Sequence, residues 1–234
     1  MSPRPASTAR QQEVLRALGV EIWRQRARAA EQSLAGSATA AAPAAAALPE
    51  WDALRAAVRD CRRCELHRSR TQTVFGVGSQ AAAWMIVGEA PGGEEDRQGE
   101  PFVGPAGQLL NEMLRAVGVG REQVFIANIL KCRPPDNRDP RPEEVAACAD
   151  YLAAQIRLLA PRLILAVGRI AAQNLLGQDL PVGRLRGRVH AWGAAGIPLV
   201  VTFHPAYLLR SPLEKRKAWD DLRLALSVAA PVVP

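Results

Sequence analysis

The sequence has no apolar run long enough to cross a bilayer. Its first residues, MSPRPASTARQQ, lack the apolar centre of an export signal. A cytosolic protein is expected, one working in the bacterial cytosol or nucleoid with no membrane partner. Aromatic residues are scarce at 5%, which argues against binding by a long stacking platform. Acidic residues are outnumbered, 23 against 30 Lys and Arg, leaving a formal net charge of +7. A basic balance favours anionic partners, nucleic acid first. What is plentiful is apolar: 48% of 234 residues, enough for one sizeable α/β core.

Cysteine is rare, and its few positions are informative. Cys61 and Cys64 form a C-x2-C pair in CRRC. Cys132 sits in KCRPP, and Cys148 in EVAACADYL. Disulfides are rare in a reducing compartment, so four cysteines read better as metal ligands than as bridges. Charged neighbours make Cys61 and Cys64 poor candidates for buried free thiols. Cys148, on an amphipathic segment, fits that alternative better. The spacing admits either zinc or an iron–sulfur centre.

The chain divides into three parts. Residues 1–34 hold one amphipathic segment, with Val14, Leu15, Leu18 and Ile22 at helical spacing. Residues 35–50 are Ala-rich with two prolines and read as a flexible linker. Residues 51–234 form the compact domain. Within it, Ala83–Val87, Val124–Leu130, Leu163–Val167 and Pro198–Phe203 are near-continuous apolar runs. Such runs suit strands buried on both faces of a parallel sheet. Helical patterns at Gln108–Val117, Glu143–Leu159, Ala171–Leu176 and Trp219–Val228 alternate with them. The pattern predicts a three-layer α/β/α fold around a four-stranded parallel sheet.

Ligands of open parallel sheets bind beyond the carboxyl ends of the strands. GEAPGGEED follows the first run, Asn128 and KCRPPDNR end the second, and HPAYLLRSP follows the fourth. Glu89, Asn128 and His204 are therefore expected at one edge. Gly88, Gly92 and Gly93 give a turn that exposes backbone amides. Glu89 and Glu95 offer acid/base or charge-stabilising carboxylates. Asn128 interrupts an apolar strand, where a carboxamide needs partners and could read an amide-like edge. Phe102, in GEPFVGPAG, could stack on a planar ligand or plug the core. Lys131, Arg133, Arg138 and Arg141, the arginines at 184, 186 and 188, and Arg210 supply a basic rim for phosphates.

Together GEAPGGEED, GEPFVGPAGQLL, ANILKCRPPDNR, HPAYLLRSP and the cysteine spacing resemble the family 4 uracil-DNA glycosylases. The resemblance covers Trp51 to the last helix. It implies a [4Fe–4S] cluster on Cys61, Cys64, Cys132 and Cys148. It also implies a monofunctional enzyme that flips uracil from DNA and hydrolyses its glycosidic bond, leaving an abasic site. Phe102 would stack on uracil and Asn128 would bond its Watson–Crick edge. Gly88, Glu89 and Ala90 would hold the base by their backbone, and His204 would stabilise the departing anion. Other branches of the superfamily carry an Asp where Ala90 stands, which leaves the water-activating residue open between Glu89, Glu95 and neither. Lys131 and Arg133 would contact DNA, and Leu208, Leu209 or Arg210 would enter the vacated stack. The stretch after Asn128 has no histidine, so the covalent DNA capture of a related crosslinking group is not expected. The rival reading is a non-catalytic uracil-DNA or nucleic-acid binder with a structural metal site.

LRALGVEIWRQR is similar to the N-terminal peptide of the bacterial clamp-loader psi subunit. That likeness implies a tether for the chi subunit through residues 11–28 on an otherwise monomeric enzyme.

Overall fold

The computed structural model describes residues 48–229. The expectations for the N-terminal peptide and for most of the linker lie outside them. The first helix, α1, spans Leu48–Arg59 and so begins three residues inside the stretch read as linker. No helix among the described residues is long and apolar enough to cross a membrane.

Six strands form one sheet: β1 (Val77–Gly78), β2 (Trp84–Gly88), β3 (Phe125–Asn128), β4 (Leu163–Val167), β5 (Val189–Trp192) and β6 (Ile197–Thr202). Their spatial order is β1-β3-β2-β4-β6-β5. The central four run parallel, with Gly88 opposite Asn128 and Val167 opposite Thr202 at the carboxyl ends. The edge strands β1 and β5 pair antiparallel. The α/β/α class and the four parallel strands are as expected, but the sheet has two more strands. The physical reason is plain. β1 has only two residues, and β5 alternates exposed with half-buried positions, so neither carries an apolar run.

The parallel strands bury residues on both faces. Met85, Val87, Phe125, Ala127, Ile164, Ala166, Leu199 and Val201 point to one core. There they meet Trp51 and Val58 of α1, Leu152, Ile156 and Leu159 of α4 (Pro142–Leu159), and Ala171 and Ala172 of α5 (Arg169–Leu176). Their neighbours Trp84, Ile86, Ile126, Leu163, Leu165 and Val200 point the other way. They meet α3 (Pro105–Ala116) through Leu110, Met113 and Leu114, and α8 (Lys215–Val228) through Ala218, Leu222 and Ala225. The remaining helices α2 (Gly93–Gln98), α6 (Val182–Leu185) and α7 (Pro205–Arg210) are short and border the carboxyl edge. Proline at the first turn of α3, α4 and α7 starts each helix where the chain leaves a loop. The chain reaches β3 on one side of β2 and β4 on the other, so the crevice lies at a switch of winding direction.

Candidate active site

A cleft of about 840 Å³ opens at that edge. Glu89, Ala90, Gly92, Glu95, Phe102, Asn128, Gly168, His204 and Arg210 line it. Three strand ends therefore bring together residues over a hundred positions apart in sequence.

Asn128 closes the floor. It is 2% exposed, and its buried Oδ1 has no hydrogen-bond partner. An unsatisfied buried carbonyl costs about 1–3 kcal/mol, so the position is expensive unless a ligand donor completes it. Gly88 is glycine for a reason of space. A Cβ there would stand 2.4 Å from Asn128 Oδ1 and 2.6 Å from the Phe102 ring. The Phe102 ring stacks on His204 with centroids 5.7 Å apart and planes inclined by 29°. Phe102 holds a left-handed backbone, φ 55°, which a bulky residue adopts only under constraint. The constraint is visible. Arg121 donates to the carbonyls of Pro101 at 2.6 Å and Phe102 at 3.3 Å, and to Asn111 Oδ1 at 3.1 Å. Nothing in the sequence pattern singled out Arg121, because its partners belong to a loop twenty residues upstream.

His204 caps α7: its Nδ1 accepts the Ala206 N–H at 3.1 Å. Since that backbone group can only donate, the neutral ring carries its proton on Nε2. Burial, reinforced by the nearby Arg210 charge, lowers the imidazole to about 4. The ring is a neutral donor at physiological pH.

The two carboxylates separate in role. Glu95 accepts backbone N–H groups of Gly92 at 3.1 Å, Val103 at 3.0 Å and Gly104 at 3.2 Å. It ties the Phe102 loop to the start of α2 and is occupied. Glu89 is half-buried at the cleft wall, and burial with the Asp139 charge raises it to about 7 against the opposing pull of Arg169.

Some expected contacts fall elsewhere. Lys131 is not on a basic rim: it is 1% exposed, and its Nζ donates to the Asn128 carbonyl at 2.8 Å and Gln155 Oε1 at 2.7 Å. It follows the strand end by three residues, after the buried Ile129 and Leu130, and turns inward with them. Leu208 is not available to enter a base stack either, because α7 points it into the core, fully buried. Leu209 is 45% exposed and Arg210 is exposed on the same helix. Arg133 is half-buried and donates to Asn137 Oδ1 at 2.7 Å. Arg138, beside it on the cleft wall, pairs with the buried Glu144. Arg186 is drawn off the rim into an ion pair with buried Asp221. Arg169, Phe203 and Tyr207 line the cleft without having been anticipated. Their signal was position alone: Phe203 directly follows β6, Arg169 opens α5 two residues after β4, and Tyr207 lies on α7.

The cysteines gather beside this cleft. Cys132 and Cys148 are buried with Leu66 and Leu130, and Cys64 and Ala90 pack on them. All four thiols are free of disulfides. Arg70 donates to Cys132 Sγ at 3.0 Å, the Lys131 N–H to Cys148 Sγ at 3.3 Å, and the Arg63 N–H to Cys61 Sγ at 3.5 Å. Burial pushes Cys132 up to about 11 and raises Cys148 as well. As thiolates they would need a positive group among them. Among the described residues, no three His, Cys, Asp or Glu side chains are grouped closely enough to hold a single metal ion.

Comparison with known proteins gives the family. The family model of the uracil DNA glycosylase superfamily matches residues 75–223. A type-4 uracil-DNA glycosylase of Archaeoglobus fulgidus is 44% identical over 71% of this chain and 86% of its own length. That of Thermotoga maritima is 46% identical over 73% of this chain and 90% of its own. That of Pyrobaculum aerophilum is 45% identical over 71% and 88% respectively.

Proposed function

We infer that this chain, which belongs to the uracil-DNA glycosylase superfamily, is a DNA glycosylase that hydrolyses the bond between uracil and deoxyribose and leaves an abasic site for repair. One observation carries the reading: a buried Asn128 carboxamide with an unfilled acceptor, beside a ring held in a strained backbone and a glycine that makes room. A uracil flipped from the stack presents N3–H to that acceptor and O4 to the amide donor. Phe102 covers the face of the base.

The C1′–N1 bond then breaks, and the electron pair goes to uracil with charge on O2. His204 Nε2–H, already neutral and aimed by its cap, donates to that oxygen as charge develops. Water adds to C1′, and ionised Glu89 takes its proton. Glu95, engaged with three amides, holds the Phe102 loop instead. The lysines of the chain are Lys131, Lys215 and Lys217, and none lines the cleft, so among the described residues no lysine amine is placed to form a Schiff base. The reaction is therefore monofunctional hydrolysis. The DNA strand would be held by Arg210 and Arg133, with Leu209 as the exposed wedge.

For the cysteines we propose a [4Fe–4S] cluster on Cys61, Cys64, Cys132 and Cys148. Its support is the donor set: four thiols in electrostatic reach of one another and N–H groups on three of the sulfurs. Bound there, the cluster would supply a structural tie held by these four cysteines. Through Ala90 and Lys131 its ligands brace both the first loop and the Asn128 strand end.

The direct test is a uracil-containing oligonucleotide, incubated with the protein and cleaved with alkali. Strand breakage that Asn128→Asp lowers about 5- to 150-fold, the worth of a bidentate base contact, supports the enzyme and its base-reading residue. Tight uracil-specific binding with no alkali-labile product selects the non-catalytic binder.

The pH profile tests Glu89 separately. The log of kcat/KM should rise with pH to a plateau through an ionisation near 7. Glu89→Gln should lower the plateau and abolish that limb. The same limb surviving in Glu89→Gln would assign the titration to another group. The sign for stability is opposite: the carboxyl is held above its unfolded value, so Glu89 favours the fold below about 4.5 and that contribution is lost as pH rises through 7. Glu89→Gln is expected to melt higher than the parent at pH 8.

A further inference from the structure

The cleft extends well past what one pyrimidine ring fills, at about 840 Å³. A second ring stack borders that extra space. Phe203 and Tyr207 lie face to face, centroids 5.2 Å apart and planes inclined by 28°. Phe203 and His204 are successive residues leaving β6, and successive side chains of extended backbone diverge. His204 turns to Phe102, whereas Phe203 turns to Tyr207.

The stack is anchored from below. The Arg186 guanidinium lies over the Phe203 ring, 5.7 Å from its centroid. Arg186 Nε donates to Asp221 Oδ2 at 2.9 Å, and its Nη2 to the Lys217 carbonyl at 2.6 Å. Asp221 is fully buried on α8. Asp221, Arg186, Phe203 and Tyr207 thus form a column rising from the interior to the cleft, where Tyr207 ends it, 37% exposed. A buried Arg–Asp pair is weak support for stability by itself. Holding two rings rigid at a cleft wall is a better account of it.

We propose that Tyr207 is a stacking shelf for the base next to the extruded uridine, so that the cleft binds two successive nucleotides of one strand. The proposal rests on the reading of the Asn128 pocket as the uracil site. Every base has a π face, so such a shelf is tolerant of sequence but demands that the neighbouring base be free of its own duplex stack. Arg210 and Arg169 line the same cleft, within reach of the strand's phosphates. One ring on one column is also consistent with a chain so poor in aromatics.

The test is binding, followed by fluorescence anisotropy, of single strands carrying a non-hydrolysable C-glycoside of uracil. One strand has ordinary neighbours; others replace the 5′ or the 3′ neighbour by an abasic spacer. Tyr207→Ala should weaken binding about tenfold on the ordinary strand. It should cost nothing on the strand whose spacer removes the stacked base, while Tyr207→Phe stays at the parent value on all strands. Tyr207→Leu keeps Phe203 covered and should behave as Ala does. An equal loss on ordinary and spacer strands would make the ring structural and overturn the shelf, as would no loss on either. If the parent protein fails to prefer the uracil analogue over thymine, the Asn128 reading falls. The neighbour dependence on the thymine strand then still reports on Tyr207 by itself.

Discussion

His204→Ala is expected to lower kcat for uracil release by about 10²–10³-fold while leaving KM close to the parent value. That is the usual loss when one preorganised donor to a developing oxyanion is removed. The size follows from the state of the ring. Burial and the Arg210 charge keep the imidazole neutral down to about 4, and the Ala206 amide fixes its proton on the outer nitrogen. A neutral donor bonds weakly to the O2 of intact uracil and strongly to the same oxygen once it carries charge. The contribution therefore falls on kcat. Alanine also removes the N-cap of α7, which costs about 1 kcal/mol of stability. His204→Asn separates the two effects. Asparagine is a good cap but lacks the ring's reach, so its melting temperature should stay near the parent's while kcat falls as in the alanine variant. Single-turnover rates on a uracil-containing strand measure this. A kcat unchanged in both variants would remove His204 from the chemistry. The depressed pKa adds a pH signature: His204 itself should contribute no inflection near 6.5, so none should remain there in Glu89→Gln, and stability should fall with acid below 6.5 as the unfolded ring, but not the buried one, takes up a proton.

The sequence disclosed the frame of this site and less of its fittings. Parallel strands buried on both faces announce themselves as short apolar runs, and their carboxyl ends locate Glu89, Asn128 and His204 before any coordinates exist. Edge strands carry no such run, and β1 and β5 were accordingly invisible. Side-chain direction was the second blind spot. Lys131 and Leu208 look like rim residues in a linear motif, yet one turns under Asn128 and the other into the core. Glu95 and Glu89 are alike on paper. Only the three amides converging on Glu95 show that it is a fastener, and only the burial of Glu89 shows that it can titrate near neutrality. Long-range polar pins such as Arg121 on the Phe102 loop and Arg186 on Asp221 have no local periodicity to betray them.

On the proposed cluster, Cys132→Ser is expected to abolish metal binding and most of the fold, and the argument runs through burial. Cys132 lies 6% exposed in the loop that follows Asn128, with the Arg70 guanidinium on its sulfur. A structural metal centre contributes on the order of 10 kcal/mol to folding. A whole domain is stable by about 5–15 kcal/mol. Losing the centre therefore consumes most of the margin. The variant should purify with little iron or acid-labile sulfide, without the broad visible absorption expected of the parent, and with a melting temperature lower by at least about 10 °C. A colourless parent with stoichiometric zinc would overturn the iron–sulfur assignment. The residual activity is informative even where folding is only partly lost. Lys131 joins the two sites, its N–H on Cys148 Sγ and its Nζ on the Asn128 carbonyl. Ala90 joins them again from the first loop. Slackening the cysteine site should displace the groups that grip uracil before it disturbs Arg210 or Tyr207 on α7. In whatever fraction remains folded, uracil release should fall more steeply than affinity for uracil-free single strands. Equal losses of both would mean that the cysteines support the domain as a whole and have no particular hold on the base pocket.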